Sequence, residues 1–186
     1  MMDNSPTQPK RRKWKKGRSY NGMTAKELLK NKHLAVFRVI RTVGGPIKGG
    51  VTVPASIPTY VTDTIAIAPL AEPKLGYIIA GAIESPIEPR FTKKRGADIA
   101  TGRVITTMNG YNVSKAPQSV MVVHEDLTPE ILRVFLQLLG KYDFDSERGF
   151  PYVTLKHKGT KGRTIDESLN FIVHVAKKLR PIVESA

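Results

Sequence analysis

Cysteine is absent from the chain of 186 residues, and its absence excludes several classes of protein at once. Without a thiol there is no disulfide framework, no thiolate zinc site and no cysteine nucleophile. Long apolar runs are absent as well, since the longest, Leu75–Ile83, has the length of a strand and cannot cross a bilayer. The polar N-terminus lacks the apolar segment of a secretory signal, so the sequence predicts an intracellular protein of the cytoplasm or nucleus.

Acidic residues are scarce near the N-terminus. Residues 1–48 contain thirteen Lys and Arg but only two acids, Asp3 and Glu27, and carry +11 of the total charge of +14. Seven of the nine residues in Lys10–Arg18 are basic, and Trp14 lies among them. This concentration predicts a polyanion partner, either nucleic acid, as RNA or DNA, or an anionic membrane surface. The expected nucleic-acid-binding residues of this segment are Lys10, Arg11, Arg12, Lys13, Trp14, Lys15, Lys16 and Arg18.

Residues 1–22 offer almost no apolar groups, so we expect a disordered basic arm, followed by one globular domain over residues 23–186. The pattern of that domain predicts the α+β class, with an antiparallel, β-rich core and two or three helices. The predicted strands are rich in Val, Ile and Thr and are separated by prolines and glycines. They are Val51–Val53, Tyr60–Ile67, Leu75–Ile83, Arg103–Met108, Val120–Val123 and Tyr152–His157.

Capping signals and apolar periodicity indicate the helices. A capping-box pattern, with Thr first and Glu three residues later, predicts a short helix within Thr24–Lys32. The next segment, Leu34–Val43, suits a strand or a continuation of that helix. A second amphipathic helix is predicted within Thr128–Gly140 and a third after another capping box at 164–167. The apolar stripe of the last helix consists of Ile165, Leu169, Ile172, Ala176 and Leu179.

No arrangement of side chains points specifically to catalysis. The four histidines are scattered along the chain, without the H-x-x-x-H spacing of a metal site. The glycine-rich segment Gly44–Gly50 lacks the Gly-Lys-Ser/Thr ending of a phosphate loop, so a hairpin or an interstrand loop is the favoured interpretation. We therefore expect no catalytic residue, no metal site and no cofactor.

A second group of basic residues lies just before the last helix. Lys158, Lys161 and Arg163 lie in and beside a Gly-x-x-Gly sequence, where a helix N-terminus and cations can bind a phosphate together. Residues Gly159–Ile165 resemble the G-x-x-G loop of KH nucleic-acid-binding domains, and this likeness implies a clamp on a sugar-phosphate backbone. The alternative is a hairpin-like turn that leads into the helix. A third basic cluster is predicted to lie in a loop and consists of Arg90, Lys93, Lys94 and Arg95.

The organisation of the whole chain resembles that of small virion structural proteins, either nucleic-acid-packaging coat proteins or matrix proteins of enveloped RNA viruses. Rhabdovirus matrix proteins are similar in placing a lysine-rich N-terminus before a mixed sheet-and-helix domain. Residues Pro6–Pro9 are similar at three of four positions to the P-[ST]-A-P budding motif of some viral matrix proteins. A jelly-roll coat needs about eight strands, which exceeds the number predicted here, so a matrix-like or accessory nucleic-acid-binding domain is favoured over such a coat.

Three functions from different classes follow. The resemblance implies a non-enzymatic structural protein of the virion that binds nucleic acid or a nucleocapsid and forms homo-oligomers. The second is a cellular or mobile-element module that binds RNA or DNA without an assembly role. The third is an enzyme that acts on nucleic acid through carboxylates whose pattern is not recognised. Concentration-dependent assembly separates the first from the second, and metal-dependent cleavage of nucleic acid identifies the third.

Overall fold

The computed structural model describes residues 19–43, 45–46, 52–53, 59–84, 92–110, 119–140, 154–155 and 165–184. Within these ranges short N-terminal elements precede a central antiparallel sheet that is flanked by helices. The strands are β1 (Ser19–Tyr20), β2 (Met23–Thr24), β3 (Ala35–Val43), β4 (Gly45–Pro46), β5 (Thr52–Val53), β6 (Thr59–Pro69), β7 (Tyr77–Ala82), β8 (Val120–Val123) and β9 (Thr154–Leu155). The helices are α1 (Ala25–Lys30), α2 (Lys93–Met108), α3 (Pro129–Gly140) and α4 (Ile165–Lys177).

Five strands form the main sheet in the order β8, β7, β6, β3, β9, and every neighbouring pair is antiparallel. The pairs β1 with β2 and β4 with β5 form two small separate ribbons. The α+β class with an antiparallel core is thereby confirmed. The segment after α1 is strand β3, so the alternative of a continued helix is wrong. Four helices are described, one more than the upper end of the prediction.

The centre of the sheet is buried on both faces because β7 and the second half of β6, from Ile65 to Pro69, carry apolar residues at nearly every position. Ile65, Ile67 and Ile79 belong to a core cluster with α3 and α4. The alternate residues, among them Ala66 and Ala80, belong to a second cluster with α1 and α2. Their small side chains let α2 approach this face of the sheet closely. The sheet is therefore the middle layer between two groups of helices.

The last helix places Leu169, Ile172 and Ala176 of its predicted stripe in the first of these clusters, and Leu179 packs against that cluster just after the helix. The side chain of Ile165 lies outside the described residues. Leu169 and Ile172 are each 1% exposed and Ala176 is fully buried, so α4 is part of the core. Helix α3 contributes Leu132 and Phe135 to the same cluster. These two helices cover one sheet face and exclude water from its isoleucines. Both amphipathic helices predicted from periodicity are thus confirmed, with α3 ending at Gly140.

One predicted strand is wrong, since Arg103–Met108 is the second half of helix α2. Its β-branched residues favour a strand by propensity, but their hydroxyls find partners within the helix. The hydroxyls of Thr106 and Thr107 donate to carbonyls one turn earlier, over 2.7 and 2.9 Å. Burial of Val104 and Ile105 against the alanine-rich sheet face adds tertiary stabilisation. Packing and internal hydrogen bonds therefore outweigh the strand preference.

The boundary predicted for the N-terminal arm is also wrong at its C-terminal end. Ser19 and Tyr20 form β1, which pairs with β2, and the Tyr20 side chain is 8% exposed. The turn between the two strands places Asn21 and Gly22 at positive φ angles, of 48° and 75°. Residues 19–22 consequently belong to the folded domain. Residues 1–18 lie outside the described ranges.

Candidate nucleic-acid interface

The residues predicted to bind nucleic acid all lie outside the described part of the chain. They are Lys10, Arg11, Arg12, Lys13, Trp14, Lys15, Lys16, Arg18, Lys158, Lys161 and Arg163. The Gly159–Gly162 loop is likewise outside it, so its proposed phosphate clamp stays a prediction. The described residues nevertheless form a basic surface of their own, whose members come from two segments that no sequence pattern relates to one another.

The ends of helices α1 and α4 meet in this surface. Helix α1 begins at the predicted capping box, in which the Thr24 hydroxyl accepts from the Glu27 backbone and Glu27 accepts from the Thr24 N–H over 2.7 Å. It ends after Lys30, and Lys32 takes a left-handed conformation with φ of 59°. This conformation turns the chain back so that the Lys32 carbonyl accepts a 2.8 Å hydrogen bond from the Arg180 N–H.

A second hydrogen bond locks the same junction. The Nδ1 atom of His33 lies 2.7 Å from the carbonyl oxygen of Arg180. Because a carbonyl oxygen only accepts, Nδ1 carries the proton in this contact. The chain segments after α1 and after α4 are therefore held side by side by one backbone bond and one bond from the His33 ring to the Arg180 backbone. The side chains of Lys32 and Arg180 are left exposed to solvent.

Five cations crowd this junction, and we call them the basic corner: Lys30, Lys32, Lys177, Lys178 and Arg180. All five side chains are exposed. Within the described ranges no carboxylate forms an ion pair with any of them, whereas Arg133 on α3 pairs with Asp166. Part of this charge complements the negative C-terminal ends of the two helices. Lys32 and Arg180 lie beyond the helix ends, so the corner holds more positive charge than helix capping requires.

The segment after α4 fixes the corner to the rest of the domain. The N–H of Glu72 donates to the carbonyl of buried Ile182 over 2.9 Å, and Glu72 and Val183 form a parallel bridge. The Tyr20 hydroxyl donates to Glu184 over 2.9 Å. The strand that directly follows residue 18 is thus tied to a position only four residues after Arg180.

The tie between Tyr20 and Glu184 stays intact at neutral pH. Burial raises the pKa of Tyr20 above its usual value, and the hydrogen bond to Glu184 and the charge of Glu184 raise it further. A raised pKa in the folded state means that this contribution to stability is complete below the ordinary tyrosine pKa. It is lost only as the pH rises through the higher folded-state value.

The third basic cluster does not join the corner. Lys93, Lys94 and Arg95 form the first turn of α2, so the prediction of a loop is wrong for these three residues, while Arg90 lies outside the described ranges. Asn109 at the other end of α2 donates to the Ser19 carbonyl over 3.1 Å. A helix of this length spans about 24 Å. The cluster is therefore at the far end of α2 from the N-terminal ribbon.

Sequence patterns indicate three of the five cations of the basic corner. Lys177, Lys178 and Arg180 stand out in the sequence as cations at a helix end, which is a structural explanation by itself. Nothing in the sequence joins them to Lys30 and Lys32, which are almost 150 positions away. That proximity follows from the order in which the two helices pack on opposite faces of the sheet. The proximity of these cations therefore cannot be predicted without knowledge of the sheet topology.

Other chemistry is not evident among the described residues. They contain no group of three His, Asp or Glu side chains arranged to hold a metal ion. The buried carboxylate of Asp63 accepts a 2.9 Å hydrogen bond from the Glu84 N–H at the edge of the sheet's regular pairing. No helix in the described ranges is long and apolar enough to cross a membrane. Comparisons with protein-family models, curated proteins and solved structures find no match to this chain.

Proposed function

We propose that this chain is a non-enzymatic structural protein that binds nucleic acid or a nucleocapsid and self-associates, as a viral matrix or coat protein does. One observation carries the proposal: β1, which directly follows the basic segment Lys10–Arg18, is tied to the same C-terminal segment that carries the basic corner. The point at which the basic segment joins the domain therefore lies in the same region as the basic corner, although the two are far apart in the sequence. The proposed location is intracellular, in the cytoplasm, nucleus or virion.

The two elements suit different parts of the task. A basic segment neutralises phosphates and releases condensed counterions without reading sequence. The basic corner adds cations on a rigid backbone, held by the bonds from Arg180 to Lys32 and from His33 to Arg180. Because this backbone is already ordered, phosphate contacts here cost only the conformational freedom of the side chains, and such contacts orient the domain on the polyanion. Packaging of nucleic acid requires both affinity and a defined orientation.

The basic corner is expected to contribute local phosphate contacts beyond its net charge. The double variant Lys178→Gln with Arg180→Gln should weaken binding to single-stranded RNA and reduce the magnitude of the salt slope by about 0.7 for each lost contact. The Arg180 backbone bonds to Lys32 and His33 survive this change. Binding is measured by fluorescence anisotropy from low to moderate salt, with thermal melting as the test of folding.

A matched control removes the same formal charge elsewhere. Arg38 and Lys94 are exposed cations outside the corner, and the variant Arg38→Gln with Lys94→Gln again loses one Arg and one Lys. It should bind almost as the unaltered protein does. Equal weakening by both double variants would show that only net charge matters, and the corner would then not be a binding site. Divalent-metal-dependent degradation of the RNA would instead support the enzyme alternative.

An anionic membrane surface is a second candidate partner, and one observation favours it. Leu75 is 82% exposed and Val183 is 65% exposed, and both lie at the end of the sheet where Glu72 bridges to Val183. Apolar side chains beside cations are typical of protein surfaces that lie at a lipid interface. Leu75→Ser should then reduce sedimentation with vesicles of phosphatidylserine and phosphatidylcholine by several-fold, while RNA binding is unchanged. Unaltered sedimentation would leave nucleic acid as the proposed partner.

A further inference from the structure

Strand β8 forms one edge of the main sheet. Its residues pair with β7 from Tyr77 opposite Val123 to Ala80 opposite Val120, and no described strand pairs with its other side. The sequence of β8 is Val-Met-Val-Val, without the proline, glycine or charge that usually prevents an edge from pairing. Gly76 allows the backbone before β7 to lie close to β8, because a Cβ atom at this position would lie 1.8 Å from the Val123 carbonyl oxygen. The described edge is therefore well attached and open to a further strand.

Helix α3 exposes an apolar stripe beside this edge. Val134 is 48% and Leu138 is 51% exposed, and Ile131 on the same helix face is partly buried. Val134 and Leu138 lie off the face of α3 that packs into the core through Leu132 and Phe135, whereas Ile131 also packs against that core. A groove with a volume of about 390 Å³ runs between β8 and α3 and is lined by Met121, Val122, Val123, His124, Glu125, Glu130, Ile131 and Val134. An open strand and an exposed apolar helix face thus adjoin each other.

We propose that this edge, formed by β8 and the stripe Ile131, Val134 and Leu138, is the contact between two copies of the chain. The proposed function includes self-association, and this contact identifies the surface through which it occurs. The inference therefore rests on that part of the proposed function. Two copies related by a two-fold axis perpendicular to the sheet bring β8 antiparallel to its own copy. The antiparallel pattern then continues from one subunit into the next.

Symmetry is the reason to assign a second copy to this surface. Under that axis both copies of α3 lie on the same side of the joined sheet and run antiparallel, so each stripe meets its own counterpart. Val134 lies in the middle of the stripe, and Leu138 of one copy then faces Ile131 of the other. Such self-complementary contacts are typical of two-fold homodimers. A peptide that only extended the sheet would leave the α3 stripe exposed.

Charge supports the same arrangement. Glu125 and Glu130 lie at one end of the groove, before and at the start of α3. The antiparallel arrangement places these acids at opposite ends of the contact, so like charges of the two copies do not oppose each other. The cations of the basic corner lie at the ends of α1 and α4, and none of them lines the groove. Two copies of a chain with a net charge of +14 can therefore approach along this edge.

A single introduced cysteine tests the contact directly, since the chain has none of its own. Val134→Cys in the full-length protein should give a disulfide-linked dimer under mild oxidation, because the two Val134 side chains lie near the axis. Leu75→Cys is the matched control: its side chain is more exposed, at 82%, but lies outside the edge. It should crosslink at least tenfold more slowly. Equal crosslinking at both positions would overturn the proposal.

The second measurement is sedimentation equilibrium of the double variant Val134→Glu with Leu138→Glu. The samples are treated with nuclease and kept in high salt, so that nucleic acid cannot bridge two copies. The unaltered protein should be a dimer or larger, and the variant should dissociate at least tenfold more readily with an unchanged melting curve. A variant that assembles like the unaltered protein would contradict the proposal, whether another partner or a segment of the same chain occupies the groove. RNA binding is measured separately on the same variant. If binding is unchanged, the nucleic-acid-binding part of the proposed function holds whether or not this surface is the contact between copies. If the unaltered protein does not bind RNA, the proposed function fails by itself.

Discussion

Leu169→Asp is expected to unfold the domain. Leu169 is 1% exposed and lies in the core cluster where α4 packs against the sheet beside α3. An unpaired carboxylate in this apolar site costs several kcal/mol, and the lost leucine contacts add about 2–5 kcal/mol. Together these terms approach the whole stability of a domain of this size, which is about 5–15 kcal/mol. Far-UV circular dichroism at 20 °C and thermal melting measure the loss.

The neighbouring residue supplies a control for charge and position. Asn170 is exposed on the same helix, so Asn170→Asp adds the same negative charge near the start of α4 without burying it. Its melting temperature should stay within about 2 °C of that of the unaltered protein, because exposed substitutions seldom change stability by more than about 0.5 kcal/mol. A folded Leu169→Asp protein with a cooperative transition near the original temperature would contradict the placement of α4 in the core.

Removal of residues 1–18 is expected to abolish most polyanion binding while the domain remains folded. The loss of the seven cations in Lys10–Arg18 would reduce the magnitude of the salt slope for single-stranded RNA by about 5 if each contacts a phosphate. Such a change reduces affinity for RNA at low salt by at least about a hundredfold. The melting temperature should stay nearly constant because Tyr20 and its hydrogen bond to Glu184 are retained. Anisotropy titrations and differential scanning calorimetry measure the two effects.

A slightly longer truncation separates the role of the basic segment from that of β1. Deletion of residues 1–22 also removes the buried Tyr20 side chain and the pairing of β1 with β2. It should lower the melting temperature by several degrees, since a buried aromatic group and a hydrogen bond are lost together. If both truncations melt at the same temperature, the packing of Tyr20 contributes nothing. If the shorter truncation binds RNA normally, Lys10–Arg18 is not the main source of affinity.

The elements that are recognisable in the sequence are those whose signals are local. The capping box at Thr24 and the apolar period of α4 depend only on neighbouring residues, and both are present in the structure. Strand β7 likewise agrees with the apolar run that predicts it, because a buried central strand is apolar at every position. The basic character of Lys10–Arg18 is also local, since charge is independent of the fold.

Tertiary structure decided the rest, because the deciding contacts join residues distant in the sequence. Helix α2 forms where β propensity favours a strand, since the alanine-rich sheet face accepts Val104 and Ile105. Tyr20 belongs to the domain because Glu184, at the other end of the chain, accepts its hydrogen bond. The basic corner exists because the bond from Arg180 to Lys32 joins two helix ends that no sequence pattern relates. The sequence by itself determined the local elements and the charge of the N-terminus, while packing across both faces of the sheet decided where positive charge accumulates on the domain and which strand lies at the described edge.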